Sequence, residues 1–131
     1  MNLTIYGVPL AKQSCKFTKS GHRYTPADVV IASQNMRAQV IGQWSGALPF
    51  SAGVSMTVKF VFPYPKSTPK RDLGTEFAKI TKPDIDNLLK NLLDSMQGVC
   101  FLNDGQVCEI LASKKYGEQP RIEINIMEVL S

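Results

Sequence analysis

Residues 82–90 read Lys-Pro-Asp-Ile-Asp-Asn-Leu-Leu-Lys and bring two carboxylates, an amide and a lysine to the start of one predicted helix. Pro83 favours an extended conformation for the residue before it, and proline is common at helix starts. The apolar residues that follow recur at three- and four-residue spacing, so the helix is predicted to run to about Gln97, with Gly98 just past its end. Its broad apolar face consists of Leu88, Leu89, Leu92, Leu93 and Met96.

The two carboxylates of this stretch stand two residues apart, at Asp84 and Asp86. On a helix, side chains two apart point away from each other, whereas in an extended chain they point the same way. We therefore expect Asp84 at or just before the N-cap and Asp86 in the first turn of the helix. At that junction both carboxylates can converge on one point.

A plainer interpretation is a helix start whose acids serve only to stabilise it, since Asp at the N-cap and in the first turn complements the helix dipole. Asp86 and Lys90 would then form an ordinary i,i+4 pair, worth roughly 0.2–0.5 kcal/mol. A calcium-binding loop fits the sequence less well. Such a loop needs Gly at its sixth position, and counting from Asp84 places Leu89 there.

The length of 131 residues and the hydrophobic content of 44% fit one folded domain, 1–131. No apolar run approaches the length of a membrane span, and the first residues lack the pattern of a signal peptide. Cys15, Cys100 and Cys108 make an odd count without CxxC spacing, which favours a reducing, cytoplasmic setting. A zinc site is not expected, because His22 is the only histidine.

The net charge of +4 is divided unevenly along the chain. Residues 1–82 carry 11 Lys and Arg against 3 Asp and Glu, a balance of +8, and residues 83–131 carry 4 against 8, a balance of −4. A basic half joined to an acidic cluster suits a nuclease, although small domains also carry lopsided charge for solubility. Two polar, basic loops are predicted, over residues 9–25 and 63–82. They contain the candidate DNA contacts, which are Lys12, Lys16, Arg23, Lys66, Lys70, Arg71 and Lys82.

The remaining patterns predict one α/β (α+β) fold. Residues 2–8, 54–62, 106–115 and 121–129 have the alternation or composition of strands, and a helix is predicted from Thr25, as N-cap, to about Trp44. The order β-α-β-α-β-β predicts a mixed sheet of about four strands with two main helices. Residues 63–82 are predicted to stay irregular, and a loop of that length is usually functional or mobile.

Residues 82–90, Asp94 and residues 101–107, which read Phe-Leu-Asn-Asp-Gly-Gln-Val, resemble the RusA family of Holliday-junction resolvases. The pattern is similar to the family's K-P-D-x-D-N-L-x-K followed by a D-D-x-Q-V turn. Residues 7–12 and 24–26 are similar to the phage and prophage branch of that family. The strong part covers about residues 82–107, and the combined motif is far more specific than a lone D-x-D.

This resemblance implies a small homodimer that cuts four-way junction DNA symmetrically with Mg²⁺, or with Mn²⁺. By motif position, the implied site residues are Asp84, Asp86, Asp104 and Lys90. Asn103 stands where the family has the first acid of its turn, so Asp104 is expected to be the third metal ligand. The chemistry agrees, because carboxylate oxygens are hard ligands and a lysine near the phosphate can neutralise developing charge.

Two other classes stay open at this point. A non-catalytic branched-DNA-binding protein would share the basic loops but would not need three carboxylates. A D-x-D metal site for a nucleotide-sugar, as in glycosyltransferases, is disfavoured because 131 residues leave little room for a nucleotide fold and an acceptor site.

Overall fold

A computed structural model of the chain describes residues 1–11, 16–17, 23–24 and 27–129, and of residues 16–17, 23–24 and 27–29 it describes only the backbone. The elements are β1 (Asn2–Tyr6), β2 (Lys16–Phe17), β3 (Arg23–Tyr24), α1 (Ala27–Trp44), β4 (Gly53–Pro63), β5 (Phe77–Ala78), α2 (Ile85–Met96), β6 (Val107–Gly117) and β7 (Arg121–Val129). Two one-turn 3-10 helices, Lys70–Asp72 and Asp104–Gln106, lie between them.

One mixed sheet carries the architecture, with the strand order β1-β7-β4-β6-β5. The middle strand β4 runs parallel to β6 and antiparallel to β7. A parallel pair needs a crossover connection, and α2 lies in the stretch that leads from β4 back to β6. The fold class is therefore confirmed.

The sheet has five strands rather than about four, because a strand of two residues lies within the segment predicted to be irregular. This strand, β5, pairs Phe77 with Tyr116 and Ala78 with Lys115. So short a strand leaves no alternation to read in the sequence. The predicted polar loop over residues 9–25 likewise contains the two-residue strands β2 and β3, which pair with each other.

Both long helices lie over one hydrophobic core. Alternate residues of β4 and β7 are buried, in agreement with the alternation in their sequences, and so is the apolar side of α2. Leu89 and Leu93 are partly buried at the margin of the same core. The largest fully buried side chains include Leu3, Met56, Phe60, Leu88, Leu92, Met96, Phe101, Ile122 and Ile126. No helix in the described ranges is long and apolar enough to cross a membrane.

A ring of four charges lies on the opposite side of the sheet from this core. Lys59 forms ion pairs with Glu76 and Glu123, and Arg121 forms ion pairs with the same two acids, at 2.7–3.0 Å. The hydrogen bond from the Lys59 ammonium is the main cause that lowers the pKa of both Glu76 and Glu123. The four side chains are 21–42% exposed, so each ion pair adds little to stability. Together the pairs hold Glu76, the residue before β5, against β4 and β7.

The free edge of β1 is covered by two glutamine side chains of α1. The amide of Gln43 accepts from the N–H of Thr4 at 2.8 Å and donates to its carbonyl at 2.6 Å. Gln39 does the same for Tyr6 at 2.8 and 3.0 Å. Each side-chain amide thus takes the place of a neighbouring strand's peptide group, and an unpaired strand edge is a template for association with another chain.

Replacing both glutamines, Gln39→Ala and Gln43→Ala, is expected to lower the free energy of unfolding by about 1–2 kcal/mol and to cause concentration-dependent self-association. Urea unfolding and light scattering measure the two effects. Gln34→Ala is the matched control, since it removes the same amide from the same helix away from β1. A double variant as stable and as monodisperse as Gln34→Ala would show that the amides do not protect this edge.

Candidate active site

The first part of the candidate site is the amino end of α2. Asp84 is the N-cap, with extended backbone angles of φ −73° and ψ 149°, and Asp86 lies in the first turn. The predicted placement of both residues is confirmed, and both are exposed. Within the part of the chain that the structure describes, neither carboxylate has a hydrogen-bond or ion-pair partner. Both sets of carboxylate oxygens are therefore available to an external ligand.

Lys90 stands one turn further along α2 on the exposed side of the helix, as the spacing predicted. The buried side of the same helix is fixed by Asn91, whose Nδ2 donates to the carbonyl of Leu10 at 3.0 Å and contacts the sulfur of Met36 at 3.4 Å. Leu10 lies at the start of the first predicted basic loop. Asn91 therefore attaches the start of that loop to the helix that carries Asp86.

The chain that leads into Asp84 is bound to β6. Lys114 Nζ donates to the carbonyl of Thr81 at 2.7 Å and to the carbonyl of Pro83 at 2.8 Å. The peptide bond between Lys82 and Pro83 is cis. Because Pro83 precedes Asp84 directly, one ammonium group holds the backbone on which the first carboxylate stands.

A second set of contacts holds the same segment by its side chains. The Thr81 hydroxyl lies 2.8 Å from Lys79 Nζ and 3.1 Å from the Tyr116 hydroxyl. Lys79 Nζ also lies over the aromatic rings of Phe62 and Tyr116, about 5 Å from each centroid. The hydrogen bonds from Thr81 and Lys79 lower the pKa of the Tyr116 hydroxyl.

The turn that carries Asp104 has its own fixed geometry. Asn103 caps the one-turn 3-10 helix Asp104–Gln106, and its side-chain oxygen accepts from the N–H of Gly105 at 2.8 Å. Asn103, which stands where the family has its first acid, therefore uses its side chain to hold the backbone of the turn. The N–H of Asp104 itself donates to the side chain of Gln97 at 3.0 Å, which places Asp104 beside the residue that ends α2.

Gln106 holds this turn in place with four hydrogen bonds. Its side-chain oxygen accepts from the N–H groups of Leu102 and Asn103, both at 2.8 Å. Its Nε2 donates to the carbonyls of Phe50 and Ala52 at 2.8 and 2.9 Å. The glutamine of the D-D-x-Q-V pattern thus connects the turn to the chain entering β4.

The structure brings Asp84, Asp86 and Lys90 together but does not bring Asp104 to them. Asp84 and Asp86 lie at the amino end of α2, while Asp104 contacts Gln97 at the other end. A helix of 12 residues is about 18 Å long at about 1.5 Å per residue. Accordingly, among the described residues no three His, Cys, Asp or Glu side chains are grouped as a metal site would require.

The predicted DNA-contacting residues occupy different parts of the surface. Lys66, Lys70 and Arg71 are exposed in the loop after β4, where the last two belong to the 3-10 helix Lys70–Asp72, and Lys82 is exposed beside the start of α2. Lys16 and Arg23 lie on the paired strands β2 and β3, but their side chains are outside the described part of the structure. Lys12 also lies outside the described residues.

Sequence reasoning missed Lys114, Tyr116 and Gln97 as site-supporting residues. Their roles depend on which strand or turn lies beside them, and no local pattern states that. The one available signal was that Tyr116 follows directly on the predicted strand 106–115 and stands two residues from Lys114, a spacing that puts two side chains on one face of a strand.

The sequence profile of the endodeoxyribonuclease RusA family matches residues 7–127. An uncharacterized protein of Bacillus subtilis strain 168, YqaN, is 33% identical over 138 residues, covering 98% of this chain and 96% of that protein. A Lactococcus phage r1t protein named crossover junction endodeoxyribonuclease rusA is 44% identical over 52 residues, covering 39% of this chain and 40% of its own length.

The mixed sheet of five strands with two helices defines the class as an α+β protein. The chain belongs to the RusA family of endodeoxyribonucleases. The resemblance predicted from residues 82–107 is thereby confirmed over most of the chain.

Proposed function

We propose that this protein is a metal-dependent nuclease that resolves four-way DNA junctions by paired, symmetric cuts. The observation that carries the proposal is the pair of exposed carboxylates at Asp84 and Asp86, whose side chains have no partner among the described residues and which lie between Lys82 and Lys90. The family and the name of the phage relative support junction DNA as the substrate. This activity would place the protein in DNA recombination and repair.

The donor chemistry of the proposed site fits Mg²⁺ or Mn²⁺, because aspartate oxygens are hard ligands. Asp84, Asp86 and Asp104 would hold the ion, which supplies Lewis acidity toward a phosphate oxygen and toward water. Lys90 would neutralise negative charge that develops on the phosphate during cleavage. Lys82 and the basic loops would bring the phosphate backbone to this end of α2.

The separation of Asp104 from the other two carboxylates favours a site shared between two chains. A twofold axis that sets two α2 helices antiparallel would bring Asp84 and Asp86 of one chain to Asp104 of its partner. A homodimer would then contain two complete sites, which is the number that a pair of matched cuts requires. In this proposal the monomer alone binds the metal poorly, since it offers only two of the three carboxylates.

Charge reversal in the loop after β4, as Lys70→Glu with Arg71→Glu, is expected to weaken junction binding about equally for junctions of any sequence and to flatten its salt dependence. Both residues are exposed and stand together on one 3-10 turn, so the change removes adjacent phosphate contacts without disturbing the core. Binding isotherms at several salt concentrations on two unrelated junction sequences measure it. An unchanged slope would mean that this loop does not touch phosphate.

A labelled four-way junction incubated with the protein and Mg²⁺ separates the proposal from its alternatives. Nicked strands support a nuclease. A shifted but intact junction at every metal concentration supports a branched-DNA-binding protein that does not cut. No binding at all would favour the interpretation of the D-x-D motif as a metal site for a nucleotide-sugar.

A further inference from the structure

We propose that Lys114 is a positioning residue for the active site, which sets the backbone of Asp84 for metal binding without touching metal or DNA. The inference rests on the proposed function of Asp84. It assigns a role to a strand residue that lies outside the 82–107 motif. In this proposal Asp84 binds the metal, and Lys114 fixes the position of the Asp84 backbone.

The geometry is a clamp on two carbonyls by one ammonium. Lys114 Nζ lies 2.7 Å from the carbonyl oxygen of Thr81 and 2.8 Å from that of Pro83. The Pro83 carbonyl belongs to the peptide group whose nitrogen is that of Asp84, so the bond acts on the residue's own backbone. Hydrogen bonds from a charged donor are about twice as strong as neutral ones.

The segment has little else to hold it in this conformation. Ile80 is 92% exposed, and Thr81, Lys82 and Asp84 are exposed as well. Segments with few buried apolar contacts open locally at low free-energy cost. Such a segment therefore depends on its hydrogen bonds to stay ordered. Among the described residues, the other contacts that hold it are the hydrogen bond from the Lys79 N–H to the Lys114 carbonyl, the hydrogen bonds of the Thr81 hydroxyl, and the Lys79 ammonium over the rings of Phe62 and Tyr116.

The strand that carries Lys114 is paired along most of its length. Its strand β6 pairs with the central strand β4 over ten residues, and Lys114 lies opposite Phe60, which is fully buried. The neighbouring residue Lys115 lies opposite Val61 and, by strand alternation, projects from the other face of the sheet. The two lysines carry the same charge at nearly the same place, but only Lys114 holds the approach to Asp84.

The test compares Lys114→Met with Lys115→Met, which remove one positive charge each from adjacent residues. In metal-free protein, trypsin cleavage after Lys79 is expected to be about tenfold faster in Lys114→Met and unchanged in Lys115→Met, because only the first change releases the segment. In junction cleavage, Lys114→Met is expected to need about tenfold more Mg²⁺ for half-maximal rate, with junction affinity equal to that of Lys115→Met. Lys114→Arg, which can still donate to both carbonyls, is expected to restore most of both properties.

Equal trypsin rates and equal Mg²⁺ dependence in the two methionine variants would overturn the proposal, as would a loss of junction affinity specific to Lys114→Met, which would make it a DNA contact. Thermal unfolding of both variants checks that neither has lost its fold. If Lys114→Met does not fold, Lys114→Gln, which keeps one donor group, takes its place. Should wild-type protein fail to cut junctions at any metal concentration, the proposed function fails, and the metal-free trypsin result still decides whether Lys114 holds the segment.

Discussion

Asp86→Asn is expected to reduce junction cleavage by about a hundredfold or more while the protein still folds and binds junction DNA. The substitution keeps size and shape but removes one negative charge from the predicted metal site, so a divalent ion binds poorly. Folding should survive, because Asn serves about as well as Asp near a helix start and the structure gives this carboxylate no partner among the described residues. Junction affinity should hold or rise, since one charge that repels phosphate is gone.

Glu118→Gln is the control for this prediction. It also replaces one exposed carboxylate by an amide, in the connection between β6 and β7 and outside the family motif. Cleavage at nearly the wild-type rate is expected from it. If Asp86→Asn folds, binds and cuts as fast as Glu118→Gln, then Asp86 is only a helix-stabilising acid and the site assignment is wrong.

Mixing two inactive variants is expected to restore activity. In the shared-site proposal, a heterodimer of one Asp86→Asn chain and one Asp104→Asn chain collects both defects in one site and leaves the other site intact. After subunit exchange at equal amounts, half of the dimers are mixed and each has one good site, so about a quarter of the wild-type sites are expected. Strand nicking should return to about that level from a background of about 1% in each variant alone.

A site supplied entirely by one chain predicts a different result. If all three carboxylates of a site come from one chain, every chain in the mixture lacks one ligand, and the mixture stays as inactive as its components. Differently tagged chains, co-purified before the assay, establish that mixed dimers have formed. Sedimentation that shows only monomer at micromolar concentration, with and without junction DNA, would remove the shared site altogether.

Local chemistry in the sequence was enough to predict the start and end of α2. Pro83 and Asp84 marked its beginning, and Gly98, with a φ of 85°, follows its last residues as a helix-ending glycine does. The alternation in β4 and β7 and the apolar face of α2 were likewise predicted, because each depends only on the period of a strand or helix. These features specify elements and faces, and they were enough for the fold class.

Long-range arrangement could not be predicted in the same way. Strand β5 exists because Phe77 and Ala78 meet β6 and because Glu76 joins the charge ring, and neither fact is local to those residues. Asp104 lies at the far end of α2, where its N–H donates to the side chain of Gln97. Proximity in sequence and in motif suggested one cluster of three acids, whereas the fold puts the length of a helix between them.

A supercoiled plasmid with an extruded cruciform tests the central claim most directly, because a cruciform base is a four-way junction. A single nick releases the supercoiling, the cruciform is reabsorbed and the product is a nicked circle. Two matched cuts within one binding event give linear DNA instead. We predict linear product in Mg²⁺, with the two cut sites symmetric across the junction on sequencing and with none formed in the presence of chelator. Nicked circles as the only product, or DNA that stays intact at every Mg²⁺ concentration, would contradict the account.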